Sequence, residues 1–409
     1  MSIQNEMSLL EMIEKNPDFP HYIMIKIDAQ RRGITFSESA LKKVNPEIHQ
    51  VQVRSFSREI NGLTPVALMM RDGTSIIARS NDEIDQNDPL LIDVDRNGDI
   101  VIRDGEVILE QVYYWEKPDY YDKKTKNGIP MWTVVNARPQ RLDINPYQYC
   151  HMWSKKDMGC KFCSIKDIYK KSNKPMFLDI EDINDTITEA LKEKGRFTNI
   201  FLTGGTNLQG KELFDKEISL YIKILKMIGT HFRTNKFPSQ LIGSAYNKKQ
   251  LEILYNETGL MSYSANLEVL NEERFNWICP GKAKYIGYKE WKERLFQAVE
   301  IFGRGYVNTG IVCGVEMARP YGFECEEEGI EKTLLEAENL MGRGVDVVSC
   351  VWRVSKESAF RYQRIPSLDY YIKIVKGLNN LRHKYGLFSD MDNYRRCGNH
   401  PDTDFLRVW

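Results

Sequence analysis

The chain has 409 residues, carries 57 basic and 57 acidic side chains, and is 42% hydrophobic. Its length allows two or three domains with a large core. Zero net charge argues against a dominant nucleic-acid or membrane surface, because such surfaces need clustered basic residues. No apolar run approaches the ~20 residues of a membrane span, and the acidic N-terminus is unlike a secretory signal. We therefore expect a cytoplasmic protein with reduced thiols.

Residues 1–115 are predicted to form a small β-rich N-terminal domain that begins with short helices. One helix is expected near Leu9–Ile13, and Ser37 is placed to cap a second. Alternating strand patterns follow, separated by dipeptides typical of hairpin turns: Asp72-Gly73, Asn97-Gly98 and Asp104-Gly105. The polar residues 116–137 are predicted to be a linker.

From residue 138 to 385, strand and helix patterns alternate six times. Six such units favour parallel strands with right-handed crossovers and predict a partial (β/α)6 TIM-like barrel, so the chain belongs to the α/β class. A doubly wound open sheet is the alternative, because periodicity does not separate the two. In both folds the chemistry belongs at the carboxyl ends of the strands. Residues 386–409 are predicted to form a tail over the barrel mouth.

Three of the eight cysteines lie in the stretch "NPYQYCHMWSKKDMGCKFCSI", as Cys150, Cys160 and Cys163. Three soft thiolates with C-x9-C-x2-C spacing can hold zinc or an iron–sulfur cluster. A structural zinc site needs four ligands, and His151 is a candidate for the fourth although it adjoins Cys150. A [4Fe–4S] cluster held by three cysteines leaves one iron open to a substrate or cofactor. The cysteines alone leave both alternatives standing.

The loop resembles the cluster loop of the radical S-adenosylmethionine (SAM) superfamily. Cys160-Lys161-Phe162-Cys163 matches the second half of the pattern C-x3-C-x-aromatic-C, whereas the first gap here has nine residues instead of three. The resemblance implies that Cys150, Cys160 and Cys163 bind a [4Fe–4S] cluster. It also implies that Phe162 shields the cluster and lies near the adenine of SAM.

Further segments at predicted strand ends resemble the SAM-binding segments of the same superfamily, in the style of its biotin synthase and lipoyl synthase branch. "LTGGTNL" is similar to the Gly-Gly-Glu segment that holds the SAM amino group, with Thr206 in place of Glu. "SANLEVL" is similar to the segment that grips the ribose, and Arg294 aligns with an arginine that pairs with the SAM carboxylate. Taken together, the resemblance implies these cofactor-binding residues: Gly204, Gly205, Thr206, Ser264, Asn266, Glu268, Arg294, Glu316 and Arg353.

The resemblance implies an enzyme that reductively cleaves SAM to a 5′-deoxyadenosyl radical, which then abstracts hydrogen from an unactivated C–H bond. We expect a small-molecule biosynthetic substrate and an electron donor of the flavodoxin or ferredoxin type. One alternative is a peptide or RNA substrate recognised by the N-terminal domain, although the net charge makes nucleic acid unlikely. A zinc-stabilised α/β binding protein and an iron–sulfur sensor without catalysis are the alternatives of another class.

The remaining cysteines carry weaker expectations. Cys397, in the polar tail "NYRRCGNHPDTD", is a candidate hydrogen donor or, with His400, a metal ligand. Cys350 lies in a predicted strand, where it is a small buried side chain or points into the barrel. Cys279, which precedes Pro280, receives no role. The sequence does not indicate the oligomeric state.

Overall fold

The computed structural model describes residues 6–53, 63–77, 88–171, 175–390 and 398–408. The N-terminal part combines three helices with a six-stranded sheet and a separate two-stranded ribbon. Its helices are α1 (Leu9–Lys15), α2 (His21–Arg32) and α3 (Glu38–Lys42). Its strands are β1 (Ile34–Phe36), β2 (Val51–Val53), β3 (Leu63–Pro65), β4 (Ala67–Met70), β5 (Ser75–Ile77), β6 (Leu90–Val94), β7 (Ile100–Asp104) and β8 (Val107–Tyr114).

The larger N-terminal sheet has the order β1-β6-β7-β8-β4-β5. The three predicted turns join antiparallel neighbours, namely β4 to β5, β6 to β7 and β7 to β8. Ser37 caps α3 as expected, accepting a hydrogen bond from Ala40 N at 3.0 Å. The pattern missed α2, which is buried over most of its surface and therefore lacks the polar face that marks an amphipathic helix.

The segment predicted as a linker, residues 116–137, is folded. It contains a short 3-10 helix (Asp119–Asp122), the helix α4 (Met131–Val134) and the start of β9 (Val135–Arg138). Tyr120 is fully buried and donates a hydrogen bond to Val135 O at 2.9 Å. Aromatic anchors of this kind, rather than the polar majority of the segment, decide its conformation.

The second sheet has the order β15-β14-β13-β12-β11-β10-β9. Its strands are β10 (Arg141–Tyr147), β11 (Asn199–Gly204), β12 (Ser239–Ile242), β13 (Ser262–Ser264), β14 (Val307–Cys313) and β15 (Val345–Val351), with β9 as an antiparallel edge. The six predicted strands are parallel and follow chain order without a reversal. A doubly wound sheet requires such a reversal. The curled half-barrel of the α/β class is therefore confirmed.

Helices connect successive strands of this sheet and cover its outer face. They are α5 (Ile165–Lys171), α6 (Ile180–Ala190), α7 (Asp215–Gly229), α8 (Lys248–Glu257), α9 (Glu272–Ile278), α10 (Pro280–Tyr285), α11 (Tyr288–Phe302), α12 (Glu326–Gly342) and α13 (Leu368–Tyr385). In α6, Asp179 caps the first turn, and Ile183, Ile187 and Ala190 form the buried stripe. Hydrophobic side chains at three- and four-residue spacing thus determine which face meets the sheet.

Residues 398–408 of the C-terminal tail carry α14 (Pro401–Val408), which contacts α2, α13 and β15. Asp402 accepts hydrogen bonds from Ser349 N at 3.0 Å and from Arg382 Nη2 at 2.9 Å. Since β15 ends the sheet, this carboxylate satisfies an N–H group that no neighbouring strand can pair. The prediction put the tail over the barrel mouth, whereas its described part lies along the edge strand β15.

Candidate functional site

The three loop cysteines follow the carboxyl end of β10. Cys150 precedes a short 3-10 helix (His151–Ser154), and Cys160 and Cys163 belong to one tight turn in which Cys163 N donates to Cys160 O at 3.0 Å. All three cysteines are partly exposed. The loop therefore presents its thiols at the end of the barrel where the chemistry was expected.

The three thiols are close enough to influence one another. Burial raises the pKa of Cys150, and it raises the pKa of Cys163 to about 12, with the charges of Cys160 and Cys150 adding to the effect at Cys163. Within the described ranges, no three His, Cys, Asp or Glu side chains converge closely enough to hold a single metal ion. His151, the candidate fourth zinc ligand, instead accepts a hydrogen bond from Leu208 N through Nδ1 at 3.1 Å.

Gly204 and Gly205, at the end of β11, lie directly against the cysteine loop. A Cβ atom on Gly205 would collide with Tyr149 O and would lie 2.6 Å from Cys150 Cβ. Beyond them, His151 N donates to Thr206 O at 2.8 Å. Glycine is required here because the backbone of one strand end meets the backbone of the next. The cysteine loop is thus the described partner of these glycines, and their role toward SAM stays a prediction.

The sequence reasoning missed Glu217, a buried carboxylate in α7 that organises this region. It accepts hydrogen bonds from Asn207 N at 2.7 Å, Ser244 N at 2.9 Å and Tyr246 Oη at 2.7 Å. Burial raises the pKa of Glu217, while these donors lower it. Thr206 thus stands in place of the expected glutamate, and an acid eleven residues later fixes the ends of β11 and β12. An acid on the buried stripe of an amphipathic helix was the available signal.

The segment after β13 places Ser264, Asn266 and Glu268 together. Asn266 Oδ1 accepts hydrogen bonds from Ser264 Oγ and from Gly310 N, both at 3.0 Å. Glu268 has a φ of +72°, which is strained for a residue with a side chain. Its backbone is held by bonds to Gly310 O at 3.0 Å and from Val312 N at 2.9 Å. Strain maintained in this way is typical of functional sites.

Lys282 of α10 is a second residue that the sequence reasoning missed. Its ammonium group donates to Glu268 Oε1 at 2.7 Å and to Asn266 O at 2.6 Å, and its side chain is 11% exposed. It also lies 4.7 Å from the centre of the Trp291 ring. One buried cation therefore holds the two residues predicted to grip the ribose.

The other predicted residues belong to other segments of the chain. Arg294 donates to Glu290 and to Ala245 O at the end of β12, and Arg353 is partly exposed in the loop after β15. Phe162 is partly buried against the main core. Glu316 follows β14, and its buried carboxylate is bonded to Tyr370 and to Gly314 N. Cys397 lies outside the described residues.

Aromatic side chains stand beyond the carboxyl ends of the last strands. Trp277 contacts Tyr321 and Phe360, each at 5.2 Å between ring centres, and Tyr321 remains 59% exposed. On the interior of the barrel, Phe201 and Val348 pack together with Ile242. Cys350 follows Val348 by two residues in β15, so strand alternation gives it the same face.

A comparison with protein families identifies residues 157–317 as a match to the model described as the radical SAM superfamily. The chain carries a radical SAM domain. The matched range contains Cys160, Cys163 and the segments of β11 and β13 described above, whereas Cys150 and Arg353 lie outside it. The predicted superfamily is therefore confirmed, while its branch and the long first gap of the cysteine loop stay predictions.

A curated relative is the bacteriochlorophyllide c C-7(1)-hydroxylase of Chlorobaculum limnaeum, which is 25% identical over 280 residues. The alignment covers 64% of this chain and 65% of the relative, so the chain spans slightly less than two thirds of that protein. No helix in the described part of the radical SAM protein is long and apolar enough to cross a bilayer.

Two solved structures give weak likenesses to this radical SAM chain. A radical SAM methyltransferase from Sphaerobacter thermophilus is 14% identical with a TM-score of 0.42 and covers 93% of both chains. Methylornithine synthase is also 14% identical, has a TM-score of 0.41, and covers 64% of this chain and 77% of its own. Scores below 0.5 establish neither a shared fold nor a shared activity.

Proposed function

We propose that this protein is a radical SAM enzyme that abstracts hydrogen from an unactivated C–H bond of a small-molecule biosynthetic intermediate. The observation that carries the proposal is the arrangement at the carboxyl ends of β10, β11 and β13. There, within or beside the radical SAM domain, three thiols, a glycine pair and a strained glutamate lie at the carboxyl ends of strands of one sheet.

The residues present suit the implied cofactors. Three soft thiols that influence one another's pKa are the donors an iron–sulfur cluster requires. The collision that a side chain on Gly205 would cause keeps the end of β11 against the thiol loop. When bound, the cluster and SAM supply one-electron cleavage of the SAM carbon–sulfur bond, and with it the 5′-deoxyadenosyl radical that takes the hydrogen atom.

The chain's own residues bind and orient these groups. Cys150, Cys160 and Cys163 bind iron, and the partly buried Phe162 between two of them limits the access of water. Gly204, Gly205 and Thr206 face the SAM amino group. These roles follow the strand ends on which the side chains lie.

Residues on the following strands complete the proposed SAM site. Asn266 and Glu268 accept hydrogen bonds from the ribose hydroxyls, with Lys282 fixing the carboxylate. Arg294 and Arg353 bind the SAM carboxylate and the adenine side, respectively. Glu316 is left out of the proposed site because its carboxylate is already engaged by Tyr370 and Gly314 N.

The substrate class has one supporting observation from the comparisons. The name of the curated relative describes hydroxylation at a carbon of a bacteriochlorophyllide, which replaces hydrogen on carbon. The exposed Tyr321 beside Trp277 offers an aromatic surface at the barrel mouth for an apolar small molecule. An electron donor of the flavodoxin or ferredoxin type supplies the reducing electron in this proposal.

The test is SAM cleavage by protein purified and reconstituted without oxygen. The wild-type chain is expected to bind about four irons and four sulfides and, after reduction with dithionite, to form 5′-deoxyadenosine. Cys163→Ala should abolish the cluster and the product. Cys325→Ser, which changes an exposed cysteine at the start of α12, is the matched control and should retain both.

Two other results would contradict the proposal. A colourless protein with bound zinc would support the binding-protein alternative. A cluster-containing protein that forms no 5′-deoxyadenosine with SAM and reductant would support a sensor instead.

A further inference from the structure

The corner between α9 and α10 is joined to the cysteine loop by two backbone hydrogen bonds. Lys161 N donates to Ile278 O at 2.9 Å, and Gly281 N donates to Met158 O at 3.0 Å. A Cβ atom on Gly281 would lie 2.5 Å from Met158 O and 2.6 Å from Met152 Sδ. The corner therefore fits only against this loop, and only with glycine at position 281.

This contact brings Cys279 beside Cys160. Cys279 is completely buried, and the two backbone bonds place it beside Cys160. One of the two bonds joins Lys161 and Ile278, which are adjacent to Cys160 and Cys279 in the chain. The other joins Met158 and Gly281, which lie two positions away on the opposite sides. In this position the Cys279 S–H group can donate a hydrogen bond to a Cys160 sulfur that has lost its proton to bind iron.

Lys282 adds a positive charge at the same place. Burial by itself lowers the pKa of Lys282, but the nearby groups Glu268, Cys160 and Cys279 together raise it. The protonated lysine is bonded to Glu268 and to Asn266 O. Because Lys282 follows Gly281, whose N–H donates to Met158 O, its charge lies next to the cysteine loop.

We propose that Cys279 and Lys282 are positioning residues that set the reduction potential of the cluster bound by Cys160. The inference rests on the proposed function only in requiring the cluster, and it does not depend on the substrate. A reduced cluster carries one more negative charge than the oxidised one. A hydrogen bond to a ligating sulfur and a nearby buried cation both stabilise that charge, and so make reduction easier.

The experiment is a redox titration of reconstituted protein, followed by the electron paramagnetic resonance signal of the reduced cluster. In Lys282→Met, the ratio of reduced to oxidised cluster at a fixed potential should fall about tenfold, which equals 59 mV for a one-electron couple. Cys279→Ala should lower the ratio by a smaller factor, about threefold. Lys282→Arg, which keeps the charge, should stay near the wild-type ratio.

Matched controls separate a charge effect from damage to the fold. Lys284→Met removes an exposed lysine of the same helix, and Cys313→Ala removes a buried cysteine of β14; neither should change the ratio. If Lys282→Met fails to fold, Lys282→Gln/Glu268→Gln is compared with Glu268→Gln alone. Neither of these two variants contains the Glu268 carboxylate, so none is left without its cation. The double variant should still show a lower ratio of reduced to oxidised cluster than Glu268→Gln alone.

The outcomes also distinguish this inference from the proposed function. Loaded Lys282→Met and Cys279→Ala proteins with the wild-type ratio would overturn the inference and leave the proposed function intact. A wild-type chain that assembles no cluster would overturn both.

Discussion

Two cations with little or no exposure to solvent, Arg382 and Lys282, lie in contrasting surroundings. Arg382 is fully buried and is bonded to Asp346, to Asp402 and to the carbonyl of Val347, all within the fold along β15. Lys282 is bonded to Glu268 and Asn266 and also faces Cys160 and Cys279. We call the Arg382 group closed, because all of its named partners belong to the packing along β15. We call the Lys282 group open, because it also faces residues of the candidate site.

The largest effect is expected at the closed group. Asp402→Ala removes one of the two carboxylates that face Arg382 and leaves Ser349 N without its acceptor. Arg382 keeps Asp346 as its counter-charge, but buried donors of Arg382 and Ser349 lose their acceptor, so the free energy of unfolding should fall by about 3–5 kcal/mol, measured by urea denaturation.

The matched control for this variant is Lys384→Ala, which breaks an exposed pair with Glu338. It should change the free energy of unfolding much less than Asp402→Ala does, because solvent screens an exposed pair. If both variants lose the same amount, the closed group contributes no more than a surface pair, and the comparison fails.

Like Arg382, Glu217 is buried and bonded to partners within the fold, but it lies at the candidate functional site. In the wild-type chain the Glu217 carboxylate accepts hydrogen bonds from donors such as Asn207 N and Tyr246 Oη. In Glu217→Gln the amide NH₂ group points at one of these donors and cannot accept from it. We expect a loss of about 2 kcal/mol in unfolding free energy, accompanied by weaker SAM binding as the end of β11 shifts.

Urea denaturation and equilibrium dialysis with SAM measure the two effects on the same preparation. A destabilised Glu217→Gln with wild-type affinity for SAM would restrict this residue to the fold.

At the open group, Glu268→Gln should weaken SAM binding about tenfold, or about 1.4 kcal/mol, with the iron content unchanged. Arg294→Ala should have a smaller effect of about threefold, since Arg294 already donates to Glu290 and Ala245 O. Isothermal titration of the iron-loaded variants with SAM measures both. Equal affinities for wild type and Glu268→Gln would remove Glu268 from the proposed site.

The smallest effect concerns pH. Burial raises the pKa of Glu316 above the ordinary glutamate value, with Tyr370 acting in the opposite direction. At a pH between the ordinary glutamate pKa of the unfolded chain and the raised pKa of the folded chain, the folded chain binds more protons. The free energy of unfolding therefore falls as the pH rises through this range. Glu316→Gln should lose less stability than wild type over that range in urea titrations at increasing pH, whereas identical slopes would exclude this carboxyl as a source.

Much of the barrel follows from local patterns. The six parallel strands were predicted because apolar runs such as "VDVVSCVWRV" alternate with helices that end near glycine. The folded segment 116–137 was missed, since its order depends on the burial of Tyr120, a contact that no local pattern specifies. The helix α2 was missed because partners from distant segments, such as Asp404 for Lys26, bury its charged residues.

The residues of the candidate site likewise fall into those that the sequence predicted and those that it missed. Resemblance to the motifs of the superfamily selected these candidates: Cys160, Cys163, Gly204, Gly205, Asn266 and Glu268. It gave no sign of Glu217, Cys279 or Lys282, whose positions depend on helices packing against strand ends far away in the sequence. It also selected Glu316, although the packing of α13 turns that carboxylate toward Tyr370.

The sequence by itself determined the alternation of strands and helices and the thiol loop after the first barrel strand, because periodicity and short motifs are local properties of the chain. Only the tertiary structure decided which charges are buried together, since a carboxylate or ammonium group is stable in the interior only beside a partner that folding brings to it. The ion pairs of Lys282 with Glu268 and of Arg382 with Asp402 are therefore set by the tertiary structure.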